Sequence, residues 1–118
     1  MGVVKKENTA ALAFRRYKRL GLDAPMPAED RYRRICGLSA SDTDRAELLA
    51  VWETLHLLLA FRDDSALRAV RALWMEEGET VSAFSLADGC SDRATFRRLA
   101  AVRDCFTRLC GEFEKENP

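Results

Sequence analysis

Phe96, Leu99, Val102, Phe106, Leu109 and Phe113 recur at intervals of three and four residues, and that spacing restricts the last third of this chain to one kind of element. At about 100° per residue on an α-helix the six fall on a single stripe, whereas a strand would scatter them over both faces. Arg93, Arg97, Ala101, Asp104 and Arg108 fall on the opposite side. A helix of this pattern buries one face and offers arginines and a small residue on the other. Asp92 is a good N-cap, since its side-chain oxygen can accept from the free amides of the first turn. The helix is predicted to run from near Asp92 to about Glu114, with the acidic tail Glu112 to Pro118 expected to fray.

The remaining sequence obeys the same period. Only 6 of 118 residues are Gly and 3 are Pro, while Ala, Leu, Arg and Glu abound. That composition favours an all-α protein, and the length suits one domain with a core of its own. Residues 1–8 read as a disordered lead, and 9–118 as a single all-α domain, a compact bundle of five to six helices. A first helix is expected from about Thr9 to Leu20, ended by Gly21, with Ala13, Tyr17 and Leu20 on its apolar stripe. A second is expected from about Ala28 to Cys36, anchored by Tyr32 and Ile35 and ended by Gly37. Ser41, Asp42, Thr43 and Asp44 offer N-caps, with Glu47 in a capping-box position to Asp44. The following helix should reach about Arg62, with Leu48, Trp52, Leu55 and Leu59 inward and Val51, Leu58 and Phe61 widening the face. Asp63-Asp64-Ser65 caps the next, about Ala66 to Glu77, buried through Leu67, Val70, Leu73 and Trp74 and closed by Gly78. A short helix from Thr80 to Asp88 carries Val81, Phe84, Leu86 and Ala87.

Formal net charge is zero, which argues against a uniformly basic nucleic-acid binder. The charge is segregated, however. Residues 1–36 hold nine Lys or Arg against four acids, and residues 92–108 hold five Arg against two acids. Two local basic segments therefore remain. Arg15, Arg16, Lys18 and Arg19 form a candidate phosphate-contacting arm, the alternative being a solvated helix face. Arg31, Arg33 and Arg34 surround Tyr32 and read as surface charge with one buried ring.

Cys36, Cys90, Cys105 and Cys110 lack zinc-knuckle spacing, and His56 is the one histidine. Cys105 and Cys110 diverge by about 140° on a helix, so no local disulfide is expected. The favoured reading is reduced, mostly buried thiols in a cytoplasmic protein without a signal peptide or a membrane span. No metal or cofactor is expected. His56 reads as a partly buried structural histidine, Trp52 and Trp74 as core anchors, and Asp63-Asp64 as caps rather than metal ligands. No phosphate loop, metal spacing or nucleophile–base pair points to an enzyme.

A short helix, a glycine turn and a longer arginine-faced helix form the organisation of a helix-turn-helix, here spanning 66–110 with the helix at 66–77 as brace. Phe84 and Phe96 are expected to meet across the turn, and Cys90 to plug the gap. Asp92-Arg93-Ala94-Thr95-Phe96-Arg97-Arg98-Leu99 resembles the Ser-x-x-Thr-aromatic-x-Arg opening of recognition helices in sigma-factor-like and phage-encoded transcriptional regulators, with Asp92 in place of the Ser and Val81 to Leu86 as the preceding helix. The resemblance covers about a third of the chain. It departs from the usual register, since Gly89 lies three residues before Asp92 rather than two, which makes the turn longer or Ser91 the cap. It implies double-stranded DNA binding with an inward Thr95 and with Arg93, Ala94, Arg97 and Arg98 facing the groove. Arg108 lies further along the same arginine face. Sequence-specific duplex-DNA binding by a small phage or mobile-element transcriptional regulator is thus one expectation. A second is a protein-binding all-α module, an inhibitor or adaptor whose helix-turn-helix is scaffold. A third is a self-associating packaging subunit, and a homodimer is compatible with the first.

Overall fold

Ser41, Asp63, Thr80 and Ser91 each place a side-chain oxygen on a free amide three residues on, and these caps divide the chain. The computed structural model describes residues 9–76 and 78–115. Its helices are α1 (Thr9–Arg19), α2 (Ala28–Leu38), α3 (Asp42–Ala60), α4 (Asp64–Val70), α5 (Val81–Asp88) and α6 (Asp92–Lys115). A π-helical turn, Arg71–Met75, continues α4 and closes with the Glu76 amide donating to the Arg71 carbonyl at 2.9 Å. No strand occurs among the described residues, and none of their helices is long and apolar enough to cross a membrane. The expected lead at 1–8 and the end of the tail at 116–118 lie outside the described residues. The part of the tail within them remains helical as far as Lys115.

The long helices α3 and α6 form the spine and run in opposite directions. Thr43 Oγ1 donates to Glu114 Oε2 at 3.2 Å at one end. At the other, Leu58 and Asp63 line a cleft shared with Arg98 and Ala101. Small and branched residues (Ala46, Ala50, Val51, Thr54) let α3 approach its neighbours closely. α1 lies across the spine with Ala10, Ala13, Phe14 and Tyr17 inward. The Phe14 ring packs on Trp74 at 5.2 Å and on Phe106 at 5.8 Å, both tilted, a geometry worth about 0.5–1.5 kcal/mol per pair beyond area burial.

Several expected core residues lie elsewhere. Tyr32 is exposed while Ile35 is fully buried, because α2 offers α3 only a narrow edge. Helix α2 also passes through Gly37 and ends at Leu38, where the Ser39 amide closes onto the Ile35 carbonyl. Leu59 and Phe61 are exposed, since α3 ends at Ala60 and the chain swings out through Arg62, held at φ 55°. Ser41 caps α3, so the capping box centred on Asp44 does not form. Instead Asp44 accepts from the Ala40 amide and from both terminal nitrogens of Arg16. His56 is exposed rather than partly buried, and all four cysteines are free, half-buried thiols. Trp74 is a core anchor, whereas Trp52 is half-buried beneath the Arg31 guanidinium, 5.6 Å from the ring centre.

Candidate functional site

The turn between α5 and α6 is built from the caps outward. Thr80 Oγ1 accepts from the Ala83 amide to start α5. Gly89 ends it at φ 73°, ψ 32°, a left-handed conformation that a side chain disfavours. The Cys90 amide then reaches back to the Ser85 carbonyl at 3.0 Å, the six-residue closure of a Schellman ending. Ser91 Oγ accepts from the Ala94 amide at 3.0 Å and opens α6. The cap is therefore Ser91 and not Asp92, because the Schellman closure brings Ser91 to the boundary. Gly89 thus stands two residues before its capping serine. Asp92 lies in the first turn, where the helix dipole favours an anion, and its Oδ2 accepts from Ser82 Oγ at 3.2 Å.

Two buried hydroxyls join the helices. Ser85 Oγ and Thr95 Oγ1 are 2.7 Å apart, and Cys90 Sγ lies 3.3 Å from the same Thr95 oxygen. Thr95 is fully buried, as an inward threonine requires. The buried stripe of α6 is Thr95, Leu99, Val102 and Phe106, which turns Phe96 to solvent at 58% exposure. The expected Phe84–Phe96 contact is thus replaced by the smaller Ser85–Thr95 pair, which lets α5 come closer. Leu86, one of the apolar residues of α5, is 84% exposed. The signal for Ser85 and Thr95 was two small polar residues ten apart around a glycine turn, and the larger phenylalanines masked it.

Arg93, Phe96 and Arg97 are exposed and share one face of α6, at spacings of three and four. Among the described residues neither Arg93 nor Arg97 has an ion-pair or hydrogen-bond partner. Ala94 is half-buried between them, and Arg108 is exposed about 16 Å further along the axis at 1.5 Å per residue. Arg98 turns aside. It is half-buried against α3, and its Nη1 is buried with no acceptor among the described residues. The neighbouring Arg68 is engaged, donating to Asp88 at 2.7 Å and holding that carboxyl below its ordinary pKa.

The basic residues of α1 are placed apart from this face. Arg16 is tied to Asp44 and Lys18 to Glu76, while Arg15 is half-buried and Arg19 exposed. In the cluster around Tyr32, Arg31 donates to the Leu22 and Ala24 carbonyls at 3.0 and 2.9 Å, fastening the loop before α2. Arg71 holds Asp23 of that loop at 2.7 Å. Tyr17 lies behind it, its hydroxyl pushed up to about 12 by burial. Exposed His56 lines a cleft with Tyr17, Asp23, Arg31 and Arg71. No group of three or more histidine, cysteine or carboxylate side chains is placed to hold a metal among the described residues. Comparison with family models, with curated proteins and with solved structures returned no match.

Proposed function

We propose that this chain binds duplex DNA through the first turns of α6, as a small transcriptional regulator of the phage or mobile-element kind. The observation that carries the reading is the pair Arg93 and Arg97, exposed and unpaired among the described residues, one turn apart. Their helix is pinned to a shorter one by a left-handed glycine and a buried hydroxyl pair. Arginine meets guanine edges and phosphates in a bidentate fork, and half-buried Ala94 allows close approach. Arg108 then serves as a phosphate contact rather than a base reader, being too distant for the same base step. The test is fluorescence anisotropy on mixed-sequence duplexes at several salt concentrations. The expected result is log affinity falling steeply with log salt. A flat response, or no binding at low salt, rejects the reading.

Leu86 and Phe96 favour a second reading, in which the same end of the molecule docks a protein. Exposed large apolar side chains at 84% and 58% add water-excluding area that phosphate contacts do not need. A stoichiometric protein partner retained after nuclease treatment, and lost in Leu86→Ser/Phe96→Ser, selects this reading over the first.

A further inference from the structure

The cleft between α3 and α6 has a volume of about 270 Å³ and is walled by Thr54, Leu57 and Leu58 on one side and by Ala101, Val102 and Cys105 on the other. Arg97 and Arg98 close one end, together with Asp63. We propose that this cleft binds a small apolar monocarboxylate, its hydrocarbon part between the two helices and its carboxylate against Arg98.

Three observations carry the proposal. The walls are mostly apolar, so the body of the ligand must be apolar. At about 30 Å³ per water the cleft holds about nine water volumes, the size of a medium-chain acid rather than of a peptide. The charged end holds one carboxylate, Asp63, for its two arginines. Asp63 is committed to the Ala66 amide at the start of α4, and Asp88 to Arg68. Arg98, half-buried where it lines this end, has no hydrogen-bond or ion-pair partner among the described residues, and a partly desolvated guanidinium favours an anion beside it. With two guanidinium groups against one carboxylate, the end of the cleft carries net positive charge and selects an anion over a neutral or cationic head. Arg97 is shared with the proposed DNA contact, whereas Arg93 lies outside the cleft, so Arg93→Ala should weaken duplex binding and leave occupancy here unchanged.

Isothermal titration of the full chain with octanoate, octanamide and octylamine tests this. Octanoate is expected to bind saturably at one site per chain, at least tenfold tighter than octanamide, with octylamine silent. Arg98→Met should remove the preference for the acid over the amide. Ala101→Phe, at an exposed position that tolerates bulk, should abolish binding of both while leaving the thermal melt unchanged. Equal affinity for acid and amide, absence of saturable octanoate binding, or unaltered binding by Ala101→Phe would each overturn the proposal.

Discussion

Ser85 Oγ and Thr95 Oγ1 meet at 2.7 Å in the interior and tie α5 to α6 across the Gly89 turn. Removing one partner leaves a buried hydroxyl unsatisfied. Thr95→Val is therefore expected to cost about 1–3 kcal/mol in urea unfolding, and the double variant Ser85→Ala/Thr95→Val less than the sum of the two single changes. Strict additivity would show that the pair contributes nothing as a pair.

Gly89 separates conformational strain from crowding. A Cβ built there meets no atom within 4 Å, so only its φ of +73° opposes a side chain. Gly89→Ala should destabilise by about 1–2 kcal/mol and Gly89→Asn by less. Gly37, within α2 and equally uncrowded, supplies the contrast. Gly37→Ala should stabilise by about 0.5–1 kcal/mol.

For the proposed interface, Arg97→Ala should weaken a selected duplex by about 1–3 kcal/mol and relax base preference at one position. Arg108→Ala should weaken all duplexes alike and lower the salt slope by about one. Anisotropy on selected and scrambled duplexes distinguishes these outcomes, and equal effects on both sequences by Arg97→Ala would remove it as a base reader.

Acid should loosen the junction between α1 and α3. Burial raises the Asp44 pKa, but the Ala40 amide and the Arg16 guanidinium outweigh it and hold the carboxyl below its ordinary 3.8. A depressed carboxylate stabilises the fold fully above its unfolded pKa, and that stabilisation is lost as pH falls through the lower folded value. Asp44→Asn should thus be destabilising at neutral pH and nearly neutral at strong acid. Glu47 has the opposite sign, since burial raises its pKa, and Glu47→Gln should steepen the acid loss. Denaturant midpoints measured from pH 7 to pH 2 for the three proteins would show whether the curves converge in that order.

Cys110 should be the slowest thiol to alkylate in the native protein. Burial, with Glu47 and Glu114 nearby, pushes its pKa up to about 12. Mass-resolved labelling at pH 8 should find it protected until denaturant is added, and early modification would exclude that environment.

The helices were legible because their ends are written locally. Asp63 and Gly89 hold their expected places, and Ser41 was among the caps offered for α3. The faces were less legible because periodicity ranks residues by apolarity and not by the distance between helices. Phe96 and Phe61 looked inward by size, yet Thr95 and Thr54 occupy the interior, where close helix approach leaves room only for small side chains. The exposed Arg93 and Arg97 could be read from the sequence, since they lie opposite the apolar stripe. The diversion of Arg98 could not, because it depends on how α3 and α6 cross.

The extra residue accommodated at Arg71–Met75 sets the register of everything that follows it. Trp74 and Met75 both reach the interior across that wide turn, and Trp74 there meets Phe14. Deleting one residue within it would let the segment wind regularly and rotate Trp74 by about 100°, breaking the aromatic stack. Length variation among natural relatives should therefore spare these five positions and collect instead in the loop between α1 and α2.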